Sequence, residues 1–188
     1  MKNVVIFASG SGTNANNLLQ VFKDHDEIRI CAIFTNNKNA GVVDVAMNHG
    51  IPCMFITKEF FYESELILSE LFVFDPSLIV LAGFLWLIPP YLINKYPSKI
   101  INIHPALLPK YGGNGMYGSK VHEAVLKNKE KESGVTIHFV NERFDEGKII
   151  HQAKCDVLID DTIETLSKRI HHLEYSQLPK VVEEMLLS

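Results

Sequence analysis

At 188 residues, 47% hydrophobic and 21% charged, the chain can bury one good core and build one domain. A formal charge of −4 removes the basic footprint of a dedicated nucleic-acid binder, and no apolar run reaches the roughly 18 residues of a membrane helix. Cys31, Cys53 and Cys155 stand far apart without C-x-x-C spacing, so they read as reduced core thiols rather than a disulfide framework or a structural zinc site.

The opening Met1-Lys2-Asn3-Val4-Val5-Ile6 enters a strand directly instead of a signal peptide, and a cytoplasmic location is expected. The first predicted strand, 3–8, runs into Ser9-Gly10-Ser11-Gly12-Thr13-Asn14-Ala15 and then a segment with Leu18, Leu19 and Phe22 at helical spacing. Such a turn lets a ligand approach the backbone, and the helix start presents free N–H groups and a positive dipole end. A phosphate is the expected guest; the other reading is a tight structural turn with no ligand. The letters fit the dinucleotide fingerprint. However, the next predicted strand, 28–34, ends in Thr35-Asn36-Asn37 with no acidic residue for a ribose hydroxyl, which favours a monophosphate ester over NAD.

Residues 41–49 read as a helix, 51–56 as a strand, and 63–74 as a helix broken by Asp75-Pro76. The continuous apolar run 77–82 marks a central parallel strand covered on both faces. It ends at Gly83-Phe84-Leu85-Trp86-Leu87-Ile88-Pro89-Pro90, which fits either core or one wall of a pocket for a flat aromatic ligand. Strands alternating with helices predict an α/β chain with a doubly wound, mostly parallel, Rossmann-like sheet.

The β-branched run 99–103 is a short strand stopped by Pro105 and Pro109. Asn102 and His104, two apart, share a face at its C-terminal end, where open α/β sheets place ligands. Taken alone, the pair serves equally well to satisfy backbone groups at a strand end. Glycines at 112, 113, 115 and 118 predict a mobile loop, followed by a helix from about Ser119 with Val121, Ala124, Val125 and Leu126 as its apolar positions. In 135–140, Val135, Ile137 and Phe139 take one face and Thr136 and His138 the other. A loop over 141–147 then leads to a strand over 148–156, which predicts an antiparallel hairpin near the C-terminus. The last helix is expected to begin at Asp161-Thr162-Ile163-Glu164 with an Asx cap and Glu at the third position. Ile163, Leu166, Ile170 and Leu173 should face inward, and Pro179 should interrupt the helix before 181–187.

Four segments, in this order and spacing, resemble the phosphoribosylglycinamide formyltransferase family over nearly the whole chain. They are Ser9-Gly10-Ser11-Gly12-Thr13-Asn14, Leu81-Ala82-Gly83-Phe84, Asn102-Ile103-His104-Pro105-Ala106-Leu107-Leu108-Pro109, and Gly134-Val135-Thr136-Ile137-His138-Phe139-Val140 followed by Asp145-Glu146-Gly147. The resemblance implies formyl transfer from 10-formyltetrahydrofolate, as co-substrate, to the amine of glycinamide ribonucleotide in de novo purine biosynthesis, without a metal. It assigns catalysis to Asn102, His104 and Asp145, the ribonucleotide to Gly12, Thr13, Asn14 and Glu174, and the folate to Leu85, Trp86, Leu87, Ile88, Asn141 and Phe144. Without it, Asp145 is a turn former and Glu174 a solvated helix residue. Thr136 and His138, sharing a face near the site, are expected to support it from behind.

That chemistry passes through a tetrahedral intermediate with a negative oxygen. Asn102 can donate to the oxygen without titrating. A cationic His104, favoured by a nearby Asp145, can donate too and deliver a proton to the leaving folate nitrogen. Residues 1–188 are then one formyltransferase domain, with 1–100 as the nucleotide-binding half and 101–188 as the catalytic and folate half. Its partners are small molecules, with no nucleic acid and no membrane, and it acts as a monomer or homodimer. The chain departs from the family pattern at Trp86, where well-known members carry a basic residue, in a longer loop after Tyr111, and in a short stretch after the last helix.

Three other functions compete. A methionyl-tRNA formyltransferase requires an appended basic domain. A formyltetrahydrofolate hydrolase shares the catalytic trio but carries an extra N-terminal domain, which a first strand at residue 3 does not lead one to expect. A non-catalytic nucleotide-binding module would leave Asn102, His104 and Asp145 unexplained.

Overall fold

A computed structural model describes residues 1–188. Its strands are β1 (Lys2–Phe7), β2 (Ile28–Thr35), β3 (Cys53–Phe55), β4 (Leu78–Leu81), β5 (Ile100–His104), β6 (Glu132–Phe139) and β7 (Ile149–Asp156). They form one sheet in the order β3-β2-β1-β4-β5-β6-β7. β1 to β5 run parallel, whereas β6 and β7 are antiparallel to their neighbours, so the α/β class and the hairpin stand as expected. The helices are α1 (Thr13–Val21), α2 (Gly41–His49), α3 (Ile67–Phe74), α4 (Pro90–Lys95), α5 (Ser119–Lys127) and α6 (Ile163–Leu187).

Strand alternation splits the core into two layers. Val4, Ile6, Val80, Ile101 and Ile103 pack with Leu18, Val42, Ala46, Leu178 and Val182 on one face. Val5, Phe7, Phe34, Ile79 and Leu81 pack with Phe61, Ile67 and Leu71 on the other. The strand order reverses between β1 and β4, so the loops leaving those strands diverge and open a crevice at the carboxyl edge. The two loops are tied together: Ser9 N–H donates to the Gly83 carbonyl at 3.0 Å, and Ser9 Oγ accepts from Leu85 N–H at 3.0 Å.

Several local expectations are corrected. The strand expected over 51–56 shrinks to Cys53–Phe55, and the helix expected over 63–74 starts only at Ile67. Before it lies a π-helical turn, Glu59–Glu63, closed by Ser64 Oγ donating to the Phe60 carbonyl at 3.1 Å; Glu65, at φ 52°, separates turn from helix. α4, with Pro90 at its first position, was not anticipated. α6 is capped by Thr162 and not by Asp161 with Glu164. Thr162 Oγ1 accepts from Thr165 N–H at 3.2 Å, Thr165 Oγ1 accepts from Thr162 N–H at 2.9 Å, and Asp161 binds Arg169 at 2.7 and 3.0 Å. Ile163 is exposed, whereas Leu166 and Ile170 face inward as expected with Leu173 half-buried against their cluster, and Glu174 and Leu178 continue the buried stripe.

Pro179 does not interrupt α6. A proline cannot bond the carbonyl four residues back, and that carbonyl, of Tyr175, instead accepts from Asn17 Nδ2 on α1 at 2.9 Å. No helix is long and apolar enough to cross a membrane.

Candidate active site

Asn102 and His104 end β5, and the antiparallel register sets Asn102 opposite His138 and His104 opposite Thr136. Asp145 reaches the same spot from the loop after β6, held at φ 58°. That loop folds tightly back on β6 because residue 147 is glycine: a Cβ there would collide with the Phe139 carbonyl. The expected trio therefore converges. Asn102 Nδ2 donates to Asp145 Oδ1 at 3.2 Å, and His104 Nδ1 lies 3.5 Å from Asp145 Oδ2, which also accepts from Gly113 N–H at 2.9 Å.

Partners decide the protonation pattern. His104 Nε2 is 2.7 Å from the Tyr111 carbonyl, which can only accept, so Nε2 carries hydrogen and Nδ1 is the bare nitrogen facing Asp145. His138 Nδ1 is 2.8 Å from the Phe139 carbonyl and is protonated for the same reason, leaving Nε2 to accept from Asn102 Nδ2 at 3.1 Å. Both hydrogens of the Asn102 amide are thus committed, one to Asp145 and one to His138.

Burial holds the His104 pKa below its ordinary value, against the opposing pull of the Asp145 carboxylate and the Tyr111 carbonyl and with a small contribution from His138. Burial alone would raise Asp145, but the His138 and His104 rings, each 3.5 Å from its carboxyl, and the Gly113 N–H outweigh it and hold that carboxyl below the usual range. The resting pair is an ionised Asp145 beside a neutral His104. Thr136, fully buried, makes no side-chain hydrogen bond to the trio. Its Oγ1 donates to the Ala106 carbonyl at 2.6 Å and accepts from Leu108 N–H at 3.0 Å and Gln152 Nε2 at 2.9 Å, pinning the turn beneath His104.

At one end of the crevice lies the glycine turn. No side chain caps the start of α1 and no acidic residue sits in its first turn, so the N-terminus faces the cavity with a positive dipole end. Gly12, at φ +76°, has a packing reason of its own: a Cβ would sit 2.7 Å from Val42 on α2. Thr13 is exposed, while Asn14 is buried and donates through Nδ2 to Glu174 Oε2 at 3.1 Å, leaving Asn14 Oδ1 without a partner. Glu174 is no solvated helix residue: at 6% exposure its pKa is pushed by burial up to about 7, against the bond from Asn14.

His122 and His171 line the same cavity and were missed from sequence. His122 is 2% exposed, its Nδ1 has no partner, and burial together with His171 and His104 pushes its pKa down to about 4. Burial also lowers His171. The available signals were helical spacing: His122 lies three residues before the buried Val125 on α5, and His171 stands one turn before Glu174.

At the other end, Leu85, Trp86 and Leu87 are exposed or half-buried and Ile88 is buried. Trp86 sits among Phe61, Tyr62 and Phe84, with ring centroids 5.7, 5.8 and 6.1 Å away. Asn141, whose Oδ1 accepts from Arg143 N–H at 3.0 Å, and Phe144 close that side. Both ends and the trio between them line one cavity of about 290 Å³, and the glycine loop 113–118 forms a further wall.

A family model described as formyl transferase matches residues 2–182. The chloroplastic phosphoribosylglycinamide formyltransferase of Arabidopsis thaliana is 39% identical over 96% of this chain and 64% of its own length. The phosphoribosylglycinamide formyltransferase of Bacillus subtilis is 34% identical, over 99% of this chain and 95% of its own. This chain thus spans under two thirds of the plant relatives' length. The crystal structure of phosphoribosylglycinamide formyltransferase from Bacillus halodurans superimposes with a TM-score of 0.88 at 33% identity, covering 100% of this chain and 96% of that one.

Proposed function

Because this chain belongs to the formyl transferase family, we propose that it transfers a formyl group from 10-formyltetrahydrofolate to the amine of glycinamide ribonucleotide in de novo purine biosynthesis. The observation that carries the reading is the convergence of Asn102, His104 and Asp145 between an uncapped helix start and an apolar loop, in one cavity. The phosphate would take the α1 start and the ribose hydroxyls Glu174, whose burial and lone partner Asn14 leave a carboxylate oxygen free. The pterin would take the main chain of 85–88, between Trp86, Asn141 and Phe144. Both substrates' chemistry fits the donor set: an N-terminal dipole for an anion, a buried carboxylate for hydroxyls, and apolar walls for a flat ring.

The amine nitrogen bonds to the formyl carbon, the bond from that carbon to the folate nitrogen breaks, and one proton passes from amine to folate nitrogen. His104 is neutral at rest with Nδ1 bare, so it takes that proton, becomes the partner of Asp145, and passes it on. The formyl oxygen turns negative in between. Asn102 meets it with the hydrogen now shared with His138, since the bond to the Asp145 carboxylate is charge-assisted and stronger. In this reading residues 1–188 work as one domain. Glu174 reaches from the half 101–188 to the nucleotide, and 85–88 reaches from the half 1–100 to the folate. We propose cytoplasmic action as a monomer or homodimer on small molecules alone.

The test is loss of 10-formyltetrahydrofolate, followed by folate absorbance, with glycinamide ribonucleotide, with water only, and with other amines. Loss that depends on the ribonucleotide is expected. Equal loss with water alone would make the chain a hydrolase, and no loss with any acceptor would remove the enzymatic reading.

A further inference from the structure

We infer that Tyr62, in the π-helical turn Glu59–Glu63, is a positioning residue for the folate end of the site. Its hydroxyl donates to the Leu87 carbonyl at 2.9 Å, and the structure gives that hydroxyl no other partner. Two anchors fix Tyr62 itself. Phe61, next to it, is fully buried against Phe7 and Phe84, and the Phe61 carbonyl accepts from Tyr91 Oη at 2.6 Å. Single π turns recur at functional sites because the extra residue redirects a side chain out of the helical pattern. Here it turns one aromatic into the core and presents the next to the crevice loop.

The consequence lies in the loop. Leu85 is pinned from the β1 side by Ser9 Oγ, and Leu87 from the opposite side by Tyr62, with Trp86 suspended between the two pins and packed on the Tyr62 ring. The Leu87 carbonyl is held by Tyr62, which fixes the orientation of the Leu87–Ile88 peptide and, with it, the main-chain groups of 85–88 that a folate would meet. Removing the hydroxyl frees the Leu87 peptide to rotate and misaims those groups. Tyr62 is 42% exposed and Leu87 half-buried, so water can replace the lost bond and global stability should hardly change. A structural role would show in stability. A positioning role shows in folate recognition.

This inference rests on the folate reading proposed above, and Tyr62→Phe tests it. Trp86 is the only tryptophan in the chain, so its fluorescence reports binding at this loop without any turnover. Titration of wild type with 10-formyltetrahydrofolate should change Trp86 emission. In Tyr62→Phe the folate Kd and KM should rise about 3- to 10-fold, the effect of one net hydrogen bond, with the ribonucleotide KM and kcat at saturating folate within about twofold. The melting temperature should stay within about 2 °C. Unchanged folate affinity in the variant would overturn the role of Tyr62 alone. A matching rise for both substrates, or a melting temperature lowered in step, would reduce Tyr62 to a structural residue. Failure of wild-type Trp86 to respond to folate would take down the folate reading itself, and this inference with it.

Discussion

Glu174 combines a buried carboxyl, a single hydrogen-bond donor in Asn14, and two imidazoles, His122 and His171, in the same cavity wall. Its folded pKa, about 7, lies above the ordinary carboxylate value. A group raised in this way contributes stability that is fully present below its unfolded pKa and is lost as pH rises through the folded one. The window therefore runs from about 4.5 to about 7. Glu174→Gln abolishes the titration. Without ligand, the melting temperature of the variant relative to wild type should be higher at pH 8 than at pH 5, and a difference independent of pH would contradict the placement. The variant should also raise the ribonucleotide KM, because an amide offers one acceptor where a carboxylate offers two. The position of Asn102, His104 and Asp145 was legible from the sequence motifs. The hydrogen-bond directions were not, because they depend on which carbonyl faces which ring nitrogen: Tyr111 for His104 and Phe139 for His138.

At the scale of elements, the long C-terminal helix depends on another helix. Asn17 on α1 satisfies the Tyr175 carbonyl that Pro179 leaves free, so the proline stays inside α6 without ending it. Asn17→Ala should lower stability by about 1 kcal/mol, the loss of one half-buried hydrogen bond, seen as a lower urea midpoint at unchanged slope. An unchanged midpoint would mean that water serves the carbonyl equally well. This also shows where local reading stops. The apolar run of β4, buried at every residue, announced a central parallel strand because burial writes itself into composition. The proline seemed to end a helix because the carbonyl it leaves free, of Tyr175, is satisfied by a residue 158 positions from that carbonyl along the chain, a pairing no local pattern encodes. The π turn and α4 escaped for a similar reason: Phe61 and Leu92 are single core anchors in short elements, too few to set up a period.

For the molecule as a whole, the sheet does one thing for function. By reversing strand order between β1 and β4 and adding an antiparallel β6 beside β5, it brings an uncapped helix start, a pinned apolar loop and three polar side chains into a single cavity. The central claim is that those side chains act as one unit in which His104 carries the proton and Asp145 supports its charge. The most direct test is turnover of His104→Ala with both substrates saturating, beside Asn102→Ala and the double variant. Each single variant should lose about 100- to 1,000-fold, and the double variant should lose little more than the worse single one, as groups acting together do. Near-wild-type turnover in His104→Ala, or losses that multiply in the double variant, would contradict it.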